Sequence, residues 1–242
     1  MCAAISMPSG VDAVVEIDVE QLPLRQPAWQ AYRLISSAFP PISVFEDVLD
    51  PADLELAFAI EGLTNERLLD EAGVLQRVRP EDRVSGPGAS PVMAAFTHIG
   101  VASRFSDGSY GVYYCASSLT AAIAETAFHR ARFLAATGEG PLELTLRAYL
   151  NSIIKPLHDL RTIDAVHDPS LDSYPVSQRF ARRFRDADSW GLLYRSVRAE
   201  GEECAAIFRP PALSIPVQGP HLRYVWDGST ISDVFMISRV GP

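Results

Sequence analysis

Residues 104–125 read RFSDGSYGVYYCASSLTAAIAE and carry the clearest local structural signals of the chain. The first part, as far as Gly111, is rich in Ser, Asp and Gly and therefore predicts a turn. Residues 111–115 are apolar and aromatic, which is typical of a strand. Ser118 is a favourable helix N-cap, and apolar residues recur after it at helical spacing, so a helix is predicted over 119–136.

The segments on both sides add strands and helices in an order that is not a repeating strand–helix–strand series. Apolar or alternating runs predict strands at 29–35, 92–97, 142–150, 192–197, 204–208, 222–226 and 234–237. Helices are predicted at 177–187, after the start signal Asp50–Pro51, and over 64–73. The sequence therefore predicts an α+β fold with a mainly antiparallel sheet.

The net charge of −9 on the 242-residue chain is concentrated in its first 100 residues. That part contains 15 acidic and 6 basic side chains, whereas residues 101–242 contain 15 of each. Proteins that bind nucleic acid are usually basic, so direct nucleic-acid binding is not expected. The acidic residues suggest a helical insertion over about 46–75, before a loop rich in Pro and Gly at 79–91. Residues 1–28 are predicted to form an N-terminal arm.

Several common catalytic and ligand-binding motifs are absent from the sequence. It has no GxGxxG or P-loop pattern for nucleotide phosphates, and no HExxH or GxSxG pattern for hydrolysis. The five His and three Cys lack metal-ligand spacing, so no metal is expected. No apolar run is long enough to span a membrane and no signal peptide is visible, which favours a cytoplasmic protein without membrane contact.

Glu125 has unusual surroundings for a charged residue of the predicted helix. It is the only charged residue of the run over 119–128, and Ala dominates its helical neighbourhood. A Glu on a helix is most often solvated at the surface, and that alternative stays open. If Glu125 is buried, it needs a partner or a proton, and the nearest candidates are Arg104, Tyr114 and His129.

The pattern RFS–GVYYCAS–TAAIAE resembles the RES domain, which is the toxin half of Xre–RES toxin–antitoxin pairs. The Arg, Tyr and Glu of the family match Arg104, Tyr114 and Glu125, with the family's spacing of eleven between Tyr and Glu. An earlier Arg of the family is matched by Arg33 in WQAYRLI, and a later Ser by Ser196 in GLLYRS.

The resemblance covers about residues 29–215. It implies a RES domain over 29–242 with a catalytic core at about 92–215. The chain departs from the family in having Ser106 where Asn is common, and in having Arg rather than Pro before Ser196.

The resemblance implies a fold and an activity. RES domains are similar to ADP-ribosyltransferases of the diphtheria-toxin type, in which two packed, mainly antiparallel sheets with flanking helices form a cleft for NAD⁺. They break the bond between nicotinamide and ribose and pass ADP-ribose to a protein acceptor, to water or to phosphate. An Xre-type antitoxin covers the active site. The expected substrate is therefore NAD⁺, the expected partners are an antitoxin and a host acceptor protein, and no metal is implied.

The resemblance makes Glu125, Arg104 and Tyr114 the candidate catalytic residues. Nicotinamide leaves as a neutral molecule, so the difficult part of the reaction is the positive charge that develops on the ribose. A carboxylate beside the sugar stabilises that charge, and this role is assigned to Glu125. Tyr114 would offer its ring to the nicotinamide, although a tyrosine that only packs in the core is the structural alternative.

The remaining candidate residues are those that would bind NAD⁺. Arg104 and Arg33 would hold the diphosphate through bidentate contacts. Ser196 would donate a hydrogen bond to ribose or phosphate, and His98, directly after the predicted strand at 92–97, would hold the adenosine ribose. Each of these residues also has a purely structural alternative. The alternative function is a non-catalytic nucleotide- or partner-binding module on the same scaffold, which would bind without turnover.

Overall fold

The computed structural model describes residues 19–37, 74–238, 240 and 241. Most of the predicted arm over 1–28 lies outside these ranges. So do the helices predicted after Asp50–Pro51 and over 64–73, and nearly all of the predicted acidic insertion over 46–75.

Nine strands of the described residues form one hydrogen-bonded sheet. They are β1 (Leu24–Arg25), β2 (Ala31–Ser36), β3 (Tyr113–Ala116), β4 (Leu142–Asn151), β5 (Leu157–Asp159), β6 (Gly191–Arg195), β7 (Glu203–Ile207), β8 (Val217–Trp226) and β9 (Ile231–Ile237). Their order is β1-β5-β6-β7-β3-β2-β4-β8-β9. Neighbouring strands are antiparallel except β5 and β6, so the prediction of a mainly antiparallel sheet is confirmed.

The expectation of two packed sheets is not confirmed, because β2 joins the two halves of the strand order. It pairs with β4 through six residue pairs, from Ala31 with Asn151 to Ser36 with Leu146. On its other edge it pairs with β3 through Tyr32 and Ala116. This narrow junction makes one continuous sheet of what the resemblance presents as two.

Three α-helices of the described residues cover the sheet: α1 (Ser90–Thr97), α2 (Leu119–Thr137) and α3 (Tyr174–Asp186). The strand predicted at 92–97 is wrong, because this segment is α1. Pro91 stands in the first turn of the helix, where proline is favoured, and Val92, Met93 and Phe96 are buried at helical spacing. A short apolar run does not by itself distinguish a strand from a buried helix.

The predicted boundaries of α2 are confirmed by its capping groups. The Ser118 side chain accepts a hydrogen bond from the backbone N–H of Ala121, and this satisfies one of the donors that an N-terminus leaves unpaired. The helix ends at Gly138, whose φ of 69° lies in the left-handed region that favours glycine. In α3, Phe180 and Phe184 are fully buried, as predicted.

The alternation of side chains along the strands divides the core between the two faces of the sheet. Tyr113 and Cys115 pack on the face that carries α1, which we call the α1 face. Tyr114 and Ala116 point to the opposite face, where α2 and α3 pack, and which we call the α2–α3 face. The candidate residues of the 104–125 stretch therefore meet on the α2–α3 face.

Candidate active site

Glu125 and Ser196 are joined by a hydrogen bond between α2 and the segment that follows β6. The Ser196 hydroxyl donates to Glu125 Oε1 at 2.7 Å. Ser196 Oγ itself accepts hydrogen bonds from the backbone N–H groups of Arg198 at 3.2 Å and Ala199 at 3.0 Å. Because these two donors occupy the acceptor positions of the hydroxyl, its proton is directed to the carboxylate. Ser196, which is 9% exposed, therefore orients the half-buried Glu125.

Tyr114 holds the turn that carries Arg104. Its hydroxyl lies 2.8 Å from Ser103 Oγ and accepts a hydrogen bond from the backbone N–H of Phe105 at 3.0 Å. These two contacts flank Arg104 in the sequence and fix the backbone on both sides of it. Desolvation by burial raises the pKa of the Tyr114 hydroxyl, so the phenol stays neutral and keeps its hydrogen bonds.

Arg104 is buried and attaches a loop to the site. Its Nη1 donates to the backbone carbonyls of Val166 and Asp168, both at 3.0 Å. Its guanidinium carbon lies 5.0 Å from the centre of the Tyr174 ring at the start of α3. Arg104 forms no ion pair with a carboxylate within the described part of the chain.

Tyr194 is a buried residue of the α2–α3 face that the sequence reasoning missed. Its ring centre is 4.9 Å from that of Phe105. Burial raises the pKa of Tyr194 well above its ordinary value, and the charge of Glu125 adds to this effect while Arg104 opposes it. Tyr114 also contributes to the raised pKa of Tyr194, so all three candidate catalytic residues act electrostatically on this hydroxyl. The sequence feature that could have identified Tyr194 is strand alternation, because residues two apart in a strand, such as Tyr194 and Ser196 in the predicted strand at 192–197, lie on the same face of the sheet.

Arg33 lies on the other side of the sheet from Tyr114 and Glu125. Its guanidinium carbon is 4.4 Å from the centre of the Tyr113 ring on the α1 face, and its Nη1 donates to the backbone carbonyl of Tyr114 at 3.1 Å. Burial lowers its pKa. The structure therefore does not bring Arg33 and Arg104 together as two arms of one clamp.

His98 also lies apart from this cluster. It stands at the C-terminal end of α1 rather than after a strand, and it is exposed. Its Nδ1 is 3.2 Å from the backbone carbonyl oxygen of Ala94 and 3.3 Å from Thr97 Oγ1, both of which belong to α1.

The helical turn that follows Glu125 is strongly electropositive. The guanidinium carbon of Arg198 lies 3.6 Å from the centre of the Phe128 ring, and its Nη2 donates to the backbone carbonyl of Pro169 at 2.6 Å. Desolvation lowers the pKa of His129 to about 4, and the charges of Arg132, Arg198, Arg104 and Arg130 contribute to this shift. The surroundings of the Glu125 carboxylate therefore favour an anionic ligand.

A cavity of about 650 Å³ opens beside Ser196. This volume falls within the range of small-molecule sites. One wall is held by Arg161, which forms ion pairs with Asp159 at 2.7 Å and with Glu203. The other lining residues include Arg195, which donates to Asp164 at 2.6 Å.

Within residues 19–37, 74–238, 240 and 241, no group of three or more His, Cys, Asp or Glu side chains is arranged to hold a metal ion. The helices within the same ranges are too short or too polar to cross a membrane.

Comparison with known proteins identifies the family. The family model of the RES domain matches residues 77–227, which is more than half of the chain, and the chain therefore belongs to the RES domain family. The resemblance predicted from Arg104, Tyr114 and Glu125 is thus confirmed at the level of the family.

Two individual proteins are similar to the chain. An uncharacterized protein, y4oC, of Sinorhizobium fredii (strain NBRC 101917 / NGR234) is 28% identical over 220 residues, which cover 87% of this chain and 88% of that protein. A chain of the M. tuberculosis MbcT–MbcA toxin–antitoxin complex, solved as a crystal structure, is 11% identical with a TM-score of 0.40. That alignment covers 88% of this chain and 93% of the M. tuberculosis chain.

Proposed function

We propose that this protein is the toxin of a toxin–antitoxin pair and that it cleaves the nicotinamide–ribose bond of NAD⁺. The ADP-ribose then passes to a protein acceptor, or to water or phosphate with depletion of NAD⁺. The observation that carries the proposal is the hydrogen bond to the Glu125 carboxylate from Ser196, a residue that lines the cavity of about 650 Å³. Membership of the RES domain family supports the same conclusion.

The proposed reaction uses Glu125 as an electrostatic group. The electron pair of the glycosidic bond leaves with the nicotinamide nitrogen, which becomes neutral, and the ribose carbon gains positive charge. Glu125 stabilises this charge, and the Ser196 hydroxyl keeps the carboxylate in one orientation. The oxygen or nitrogen of the acceptor then bonds to the ribose carbon and releases its proton to solvent or a nearby base.

The other candidate residues have supporting roles in this proposal. Tyr114 fixes the turn before β3 and offers its ring to the nicotinamide. Arg104, whose Nη1 donates to the backbone carbonyls of Val166 and Asp168 in this structure, provides positive charge for the diphosphate. Because Arg33 and His98 lie apart from this cluster, the proposed NAD⁺ contacts do not include them.

A toxin that depletes NAD⁺ or modifies a host protein would arrest the growth of the cell that makes it, unless a second protein blocked its site. We therefore propose that an antitoxin of the Xre type covers the site around Glu125, as the family resemblance implies. Growth arrest on expression of this chain without an antitoxin, and rescue by co-expression of one, would support this assignment.

The direct test is nicotinamide release from NAD⁺ by the purified protein, followed by NMR with and without phosphate and with cell lysate. We expect release by the wild type, and a loss of at least about 100-fold in Glu125→Gln, since removal of a group that stabilises transition-state charge commonly costs this much. The control is Glu143→Gln, which removes an exposed carboxylate of β4 that pairs with Arg223 of β8.

The products decide between the open forms of the proposal. Free ADP-ribose identifies water as the acceptor, ADP-ribose 1-phosphate identifies phosphate, and labelled protein in the lysate identifies a protein acceptor. Folded wild-type protein that binds NAD⁺ without releasing nicotinamide under any condition would instead identify a non-catalytic binding module.

A further inference from the structure

Two arginines on the α2–α3 face direct their guanidinium groups to the same short loop. Arg104 donates to the carbonyl oxygens of Val166 and Asp168 at 3.0 Å each. Arg198 donates to the carbonyl oxygen of Pro169 at 2.6 Å. Since all three acceptors belong to four consecutive residues, the two positive charges are held near each other although they are distant in the sequence.

Among the described residues, no carboxylate forms an ion pair with either arginine. Their partners are neutral backbone carbonyls, and the Nε of Arg198 is buried without an acceptor. Both arginines also contribute to the lowered pKa of His129, which lies one helical turn after Glu125.

Contacts of both the side chain and the backbone of Arg198 fix the position and the orientation of its guanidinium group. Its guanidinium group lies flat enough on the Phe128 ring to bring its carbon within 3.6 Å of the ring centre. Its backbone N–H donates to Ser196 Oγ, so the residue also belongs to the turn that orients Glu125. A guanidinium held in this way loses little freedom when it binds an anion through its planar fork.

We infer that Arg198 and Arg104 together form the site for the diphosphate of the substrate, with Arg198 in the place that the sequence had assigned to Arg33. The inference rests on the proposed function, because it names a binding group for the same NAD⁺. Phosphate oxygens that reach these guanidinium groups replace the carbonyl oxygens of the 166–169 loop. They are stronger acceptors because they are charged.

The test measures the binding of three probes to Glu125→Gln protein by calorimetry. Inorganic pyrophosphate and ADP-ribose carry the diphosphate, whereas nicotinamide riboside lacks it. We expect the additional substitution Arg198→Ala to weaken both diphosphate probes about 10- to 100-fold and to leave nicotinamide riboside unchanged, because one or two charge-assisted hydrogen bonds are lost. Arg198→Lys, which keeps the charge but loses the planar fork, should show an intermediate effect.

Arg223→Ala is the matched control, because Arg223 also stacks on a phenylalanine, at 4.9 Å from the Phe235 ring centre. The Nε of Arg223 is likewise buried without an acceptor, but the residue lies on β8. Equal affinity of the Arg198 variants and their parent for ADP-ribose would overturn the inference. Tight pyrophosphate and ADP-ribose binding that depends on Arg198, in a wild type that releases no nicotinamide, would uphold this site and reject the reaction.

Discussion

Replacement of Ser196 by Ala removes a hydroxyl that donates a hydrogen bond to the Glu125 carboxylate. The bond is 2.7 Å long and its acceptor is ionised, and hydrogen bonds to charged groups contribute about 1.5–3 kcal/mol. If this energy is lost where charge develops on the ribose, nicotinamide release by Ser196→Ala should fall about 10- to 150-fold in kcat. The loss should appear mainly in kcat, because Ser196 acts through Glu125 and not on the substrate.

Ser117→Ala is the matched control for this prediction. The Ser117 hydroxyl also donates to a glutamate, Glu202, at 2.7 Å, and it also accepts from a backbone N–H, that of Glu203, at 3.0 Å. Both variants remove the same kind of hydrogen bond, so their thermal stabilities should fall by similar amounts. Wild-type kcat in Ser196→Ala, or an equal loss of kcat in Ser117→Ala, would refute the role of Ser196 in orienting Glu125.

Two other predictions concern the turn before β3 and the titration of histidine. Tyr114→Phe keeps the ring but removes the hydroxyl that contacts Ser103 and Phe105, so urea unfolding should show a loss of about 1–3 kcal/mol, and an unchanged midpoint would contradict this role. The pKa of His129 is lowered from 6.5 to about 4 in the folded protein, so the unfolded chain binds more protons between these values. Stability should therefore fall as the pH decreases from about 6.5 towards 4, and His129→Gln should reduce this slope in thermal unfolding measured across that range; an unchanged slope would count against it.

Local sequence signals were sufficient to predict those elements whose bounds depend on interactions within a few residues. The cap at Ser118 and the stop at Gly138 define α2, because both act through backbone groups of the adjacent turn. The spacing of Phe180 and Phe184 predicts the buried side of α3 for the same reason. The strands from β4 to β9 that alternate or carry apolar runs were also placed correctly along the chain, apart from short pieces such as β5.

Local signals failed where neighbours distant in the sequence decide the outcome. The apolar pattern of the 92–97 segment is compatible with a strand and with a buried helix. Packing of Val92, Met93 and Phe96 into the core on the α1 face selects the helix. The junction of Tyr32 with Ala116 turns two expected sheets into one, and this pairing joins residues that are far apart in the sequence.

For the candidate site, the sequence by itself determined the residue types and the family. Arg104, Tyr114 and Glu125 lie in one continuous stretch whose turn, strand and helix are determined by local chemistry. Their spacing along this stretch matches that of the family, so the sequence alone indicates them. The contact of Glu125 with Ser196 agrees with the expectation that both belong to one site, although the sequence assigned Ser196 to the substrate.

Only the tertiary structure decided which other residues reach that stretch. Strand alternation sends Arg33 to the α1 face although it lies one strand away from Tyr114, and the turn after β6 brings Arg198 against Phe128. The physical reason is that the face to which a side chain points depends on register, and register is set by pairing between distant strands. The sequence shows which side chains are present, but strand pairing in the folded sheet determines which of them come into contact.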